Sequence, residues 1–262
     1  SLLANQFDET SVASLLQLKK TRPALTTLCG FKRDQTRAGF MGWGLTPLDA
    51  RLLASEISEL TSLLEINLDG FALPIKQLTG ELPVETLDLS RKGLGVASAL
   101  VIASLIGSNE TFTSLRLYGN KIGDEGAAAI CDALQAHPKA QLASFDVSHN
   151  SIGPQGARSV AAMAAAAARS LTECNVCYND IDREAAVLLA RIGTERGIML
   201  FGIRHDQTQA SLSAKELGPE DAILVASDVL VTSSLLSLDL HANQLGSYGA
   251  SALARAMAAD CS

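Results

Sequence analysis

A nine-residue pattern returns along this chain, and its return sets what the chain can fold into. The clearest copies are Leu115-Arg-Leu117-Tyr-Gly-Asn120-Lys-Ile122-Gly and Phe145-Asp-Val147-Ser-His-Asn150-Ser-Ile152-Gly. Two more are Cys174-Asn-Val176-Cys-Tyr-Asn179-Asp-Ile181 and Leu238-Asp-Leu240-His-Ala-Asn243-Gln-Leu245-Gly, and a shortened one, Leu2-Leu-Ala-Asn5, opens the chain. With the asparagine column as a ruler, the positions are Asn5, Trp43, Phe71, Lys92, Asn120, Asn150, Asn179, Lys215 and Asn243. The intervals are 38, 28, 21, 28, 30, 29, 36 and 28 residues. A fixed period in this range denotes stacked supersecondary units, each burying its apolar face on the next.

Physical chemistry assigns the parts of each unit. Side chains alternate across a strand, so Leu115/Leu117 and Leu238/Leu240 face inward while the residues between them face out. The asparagine amide turns inward, where it can satisfy backbone groups of adjacent turns; Trp43, Phe71, Lys92 and Lys215 interrupt that ladder. An alanine- and leucine-rich helix follows each strand. Thr46-Pro47, Gly153-Pro154 and Gly218-Pro219 place a cap residue before a proline at the first helical position. The 21-residue interval is too short for a full helix, so the segment from Leu73 is expected to be extended or a single turn. The two long intervals carry insertions near 25–45 and 197–217. Residues 28–57 align without gaps to residues 200–229, identical at 13 of 30 positions. The offset of 172 implies a duplicated six-repeat block.

These motifs resemble the leucine-rich repeat in its long, helix-bearing form, as in ribonuclease inhibitor, the activator of the small GTPase Ran and NACHT-type receptors. The resemblance implies an α/β fold: a right-handed solenoid or horseshoe of about nine repeats. A parallel sheet would line its concave side and helices its convex side, with residues 1–262 forming one domain. Neither end reads as capped, so the array is expected to continue or to be covered by a neighbouring subunit.

Composition limits the function. The net charge is -7, and an acidic surface disfavours nucleic acid. No run of ~18 apolar residues is present to insert in a membrane; the stretch from Ala157 to Ala168 reads as an alanine-rich helix of a soluble domain. Five scattered cysteines do not make a disulfide framework, which suggests the cytoplasm or another reducing compartment. The Cys174-x-x-Cys177 pair would place its thiols on opposite faces, Cys177 outward, which argues against metal or redox use. Asn109-Glu110-Thr111 is a glycosylation sequon. His137, His149, His205 and His241 are scattered and read as solvated. No phosphate loop and no converging catalytic set occurs, so neither an enzyme nor a cofactor is expected.

The outward strand positions are the candidate binding surface: Asn67, Asp69, Asp88, Arg116, Tyr118, Asp146, Asn175, Asp239 and His241. They are polar to acidic, suited to a protein partner with a basic or mixed-charge surface, and Tyr118 and Arg116 are the best anchors. Trp43 reads as packing for the inserted loop. The expected function is a non-catalytic scaffold or adaptor that binds through the concave face or inserted loops. The resemblance leaves two alternatives: a regulator of a small GTPase, or the sensor array of an innate-type receptor.

Overall fold

The computed structural model of the chain describes residues 1–22, 24–136, 141–167 and 170–259. His137, Ala168 and Cys261 lie outside these. Short strands alternate with helices: α1 Glu9–Thr21, β1 Arg37–Gly39, α2 Pro47–Ile57, β2 Glu65–Asn67, β3 Ala72–Pro74, α3 Ile75–Thr79 and β4 Thr86–Asp88. There follow α4 Val96–Ile106, β5 Ser114–Arg116, α5 Gly123–Gln135, β6 Ser144–Asp146, α6 Pro154–Ala166 and β7 Glu173–Asn175. The last elements are α7 Arg183–Arg196, β8 Gln209–Ser211, α8 Pro219–Val231, β9 Ser237–Asp239 and α9 Gly246–Ala259. Each helix packs on the next, from α4 through α9, and α2 packs directly on α4 past the five-residue α3. This is an α/β leucine-rich-repeat solenoid.

The core lies between strands and helices. In the central sheet β4 to β7 run parallel, with Leu87, Leu115, Phe145 and Cys174 in register and each at most 1% exposed. Fully burying one such leucine is worth roughly 1.5–3 kcal/mol. Phe145 is the bulkiest of them, and small Cys174 beside it keeps the column's volume in balance.

The asparagine column works as expected. Asn120 Nδ2 donates to the Leu89 and Leu117 carbonyls, and its Oδ1 accepts the Lys92 and Leu94 N–H groups. Asn150, Asn179 and Asn243 repeat the arrangement. The residue before the column is left-handed in each of the nine units, from Ala4 through Gly42, Gly70, Arg91, Gly119, His149, Tyr178 and Ala214 to Ala242. The three prolines named above do open α2, α6 and α8, behind Thr46, Gly153 and Gly218.

The expected sheet needs one correction, and two side chains prove more buried than their types suggest. The sheet is not continuously parallel: β3 turns back antiparallel on β2, and among the described residues the strands form three sheets, β1–β3, β4–β7 and β8–β9. The short 21-residue unit causes the first break, because its chain from Leu73 makes both an extended piece and a single turn. Cys177 keeps its outward position, with the Ser148 and Asn175 side chains beside its thiol, yet it is only 5% exposed, and burial pushes its thiol well above the ordinary range, as it does that of Cys174. Both therefore stay protonated, the inert form of a cysteine. The sequon asparagine is no surface acceptor. Asn109 is 3% exposed, its Nδ2 donating to the Gln77 and Leu78 carbonyls and its Oδ1 accepting from Thr111. It braces the turn at Gly80, where φ is +83° and a Cβ would come 3.0 Å from Asn109 Oδ1.

Candidate functional site

The strand register brings Asp88, Arg116, Asp146 and Asn175 side by side across the outer face of β4–β7. Their neighbours beyond the strand ends form an unbroken row. The Arg91 guanidinium lies 4.7 Å over the Tyr118 ring and donates to its hydroxyl. Tyr118 meets His149 edge to face at 5.3 Å, His149 stacks on Tyr178 at 4.3 Å, and Tyr178 meets Phe201 at 5.9 Å. His149 and Tyr178 hold φ of +52° and +56°, conformations that bulky residues rarely adopt. In that conformation each ring projects from the turn onto its neighbour. The row borders an open cleft of about 780 Å3 that Asp146, Asn175, Leu212, Lys215 and Glu216 also line.

Electrostatics follow from this packing. Desolvation lowers the His149 imidazole, with Arg91 helping and Asp146 and Asp221 opposing. Burial raises the Tyr178 phenol to about 12. Asp88 is held below the usual carboxylate range by the Ser90 backbone N–H, with Arg116 and Lys92 adding to it.

Both the row and the strand face depend on local braces. Asp88, Asp146 and Asp239 each accept the backbone N–H two residues on, at 2.9, 3.0 and 3.0 Å, and Asn175 accepts that of Cys177. Each therefore gives one oxygen to its own turn. Asp69 departs further from the expectation: its carboxylate takes the Gly95 N–H and the Ser98 hydroxyl, capping α4, whose own cap residue is a glycine. Asn67 accepts the Gly70 N–H in the first sheet, and Asp239 and His241 belong to the third. Of the nine expected residues, Asp88, Arg116, Tyr118, Asp146 and Asn175 share the central sheet or its aromatic row.

His149, Tyr178 and Phe201 were not legible as site residues. His149 reads as solvated in the sequence, yet it is the middle ring of the row. Phe201 enters through the second inserted segment, which the sequence locates without revealing its path. That segment runs beside β7, with the Cys174 and Val176 N–H groups donating to Met199 and Leu200. The Asp228 carboxylate, on α8, pins it by accepting the Leu200, Phe201 and Ile203 N–H groups at 2.6, 3.0 and 3.1 Å. Burial pushes this carboxyl up to about 7 while those bonds pull it down. Glu56, 172 residues earlier, likewise accepts the Leu28 and Cys29 N–H groups. The aligned blocks thus share the carboxylate brace but not the row: Cys29 stands where the second has Phe201, and, before the asparagine column, Ala4 stands where Tyr178 does. The first block clusters Phe31, Phe40 and Trp43 instead, so Trp43 packs toward the inserted loop through Phe40.

Strand, inward asparagine, helix and outward strand face together define a leucine-rich-repeat protein, and comparison with known sequences agrees. A family profile described as leucine-rich repeat matches residues 108–131, 142–161 and 233–254. The chain is 27% identical to mouse ribonuclease inhibitor over 66% of its own length and 36% of the relative's. It is 26% identical to pig ribonuclease inhibitor over 79% of its length and 45% of the relative's. A 55-residue stretch is 40% identical to bovine NACHT, LRR and PYD domains-containing protein 5, covering 21% of this chain and 5% of that one. This is a leucine-rich-repeat protein of the ribonuclease-inhibitor-like kind, and it spans less than half the length of the ribonuclease inhibitors it matches. Among the described residues no helix is long and apolar enough to cross a membrane.

Proposed function

We propose that the chain is a non-catalytic protein-binding scaffold whose contact surface is the outer face of β4–β7 together with the row from Arg91 to Phe201. The observation that carries this reading is the row itself. It sets five side chains in ring or cation contact along one edge of a chain that is only 4% aromatic. Rigid tyrosines beside an arginine are the residue types that dominate interface energies, and their mutual stacking lowers the cost of ordering them on binding. Asp88, Arg116 and Asp146 alternate in sign beneath it, a pattern suited to a partner of mixed or locally basic charge. The relatives' name, ribonuclease inhibitor, describes proteins that act by engaging another protein, which supports the same class of function.

The test is partner capture from native extract with three baits, read by quantitative mass spectrometry. Tyr118→Ala/Tyr178→Ala removes the row's anchors, and Ser159→Arg/Gln155→Arg alters helix α6 on the opposite side. Partners lost with the first variant and kept with the second are expected. Partners kept by the first and lost by the second would place binding on the helices and refute this reading. The charge column makes a poorer probe, because Asp88, Asp146 and Asp239 also hold their own turns.

A further inference from the structure

Helices α1 and α7 precede the two aligned stretches and hold equivalent places after their asparagine columns, Asn5 and Asn179. Asp8 and Asp182 cap them alike, accepting the Ser11 and Ala185 N–H groups at 2.7 and 2.8 Å. Beyond the caps the two differ. Where α7 has Ala190, Gly193 and Thr194, α1 has Leu16, Lys19 and Lys20. At Gly193 a Cβ would come 2.7 Å from Leu200 Cδ1 and 2.9 Å from Ser227 Oγ, so α7 lies hard against α8 and the inserted segment. No such approach is open to α1, since Lys19 stands in the glycine's place. The larger side chains prop the first helix away, leaving a cleft of about 670 Å3 between α1, α2 and the first inserted segment.

The lining has two parts. Leu16, Leu25, Phe31 and Leu60 supply apolar wall, and Lys19, Lys20, Arg33, Glu56 and Glu59 supply charge. Three of the charges satisfy one another: Lys19 Nζ lies 3.6 Å from Glu56 and 3.0 Å from Glu59. Glu56 also holds the Thr27 hydroxyl and the Leu28 N–H. Lys20 and Arg33 are exposed, and among the described residues neither forms an ion pair. A cleft of this size that joins an apolar wall to a set of charged groups can hold a small molecule, and its two cations without ion-pair partners favour an anion. We infer that the cleft binds a small anionic amphiphile, its hydrocarbon chain against Leu16, Leu25, Phe31 and Leu60 and its head group against Lys20 and Arg33. The site lies apart from the strand face and does not depend on the protein-binding reading.

The test is isothermal titration calorimetry of the whole chain with sodium decanoate and, separately, with decyltrimethylammonium. Saturable one-to-one binding of decanoate is expected, with none of the cation. Lys20→Glu/Arg33→Glu changes two exposed side chains, so its thermal melt should match wild type while decanoate affinity falls about tenfold or more, as expected for two charge-assisted bonds. Thr26→Trp, on the exposed loop at the cleft, should block binding by filling the space. The inference is overturned by an absence of saturable decanoate binding or by equal binding of the cation. Wild-type affinity in both variants would overturn it as well.

Discussion

At the residue scale the inward asparagines hold the turns together. Asn150 is fully buried and its Nδ2 donates to the Leu117, Val147 and Ser148 carbonyls. Removing it leaves several backbone groups without partners, each worth about 1–3 kcal/mol when buried. Asn150→Ala is therefore expected to lose about 3 kcal/mol in urea denaturation, and the half-buried Asn243 less. His149 gives a second check, because desolvation and Arg91 lower its imidazole while Asp146 raises it. Its folded pKa lies below the unfolded value, so its contribution to stability is present above about 6.5 and fades as pH falls through the folded value. In an NMR titration Asp146→Asn should lower the His149 midpoint further and Arg91→Ala should raise it. The reverse order would contradict the packing of the row.

At the scale of elements the inserted segments carry the most information. Each runs beside the preceding strand or turn and is pinned by one buried carboxylate, Glu56 or Asp228, reached from the following helix. Asp228→Ala should expose the Leu200, Phe201 and Ile203 amides to fast hydrogen exchange and lose about 3 kcal/mol, the range for stranding such buried donors. Helix α9 should be little affected. Uniform protection across residues 198–203 would show that Asp228 does not hold the segment. Much of this scale was legible beforehand. Column spacing located the strands, the proline-headed helices and both insertions, because periodicity and capping are local chemistry. The carboxylates were not legible, because a buried acid on α8 and its N–H donors lie 25 to 28 residues apart and share no motif. The antiparallel β3 was hidden for a related reason: a short interval implies a missing helix but not the direction of the chain that replaces it.

At the scale of the whole molecule, stacking fixes both stability and surface. Outward strand residues become neighbours only through register, so the sequence could name Asp88, Arg116 and Asp146 as a column. Whether Asp69 joined them depended on the glycine that opens α4, which left Asp69 as the capping acceptor. The row was only partly visible, since Tyr118 stands out by type while His149 and Tyr178 acquire their role from left-handed turns that bring their rings into contact. The central claim is that a partner protein meets the face of β4–β7 and this row. The most direct measurement is site-specific photocrosslinking in native extract, with benzoylphenylalanine placed at Arg116 and, separately, at Ser159 on α6. The account expects a discrete partner adduct from position 116 and none from 159; adducts from 159 alone would contradict it.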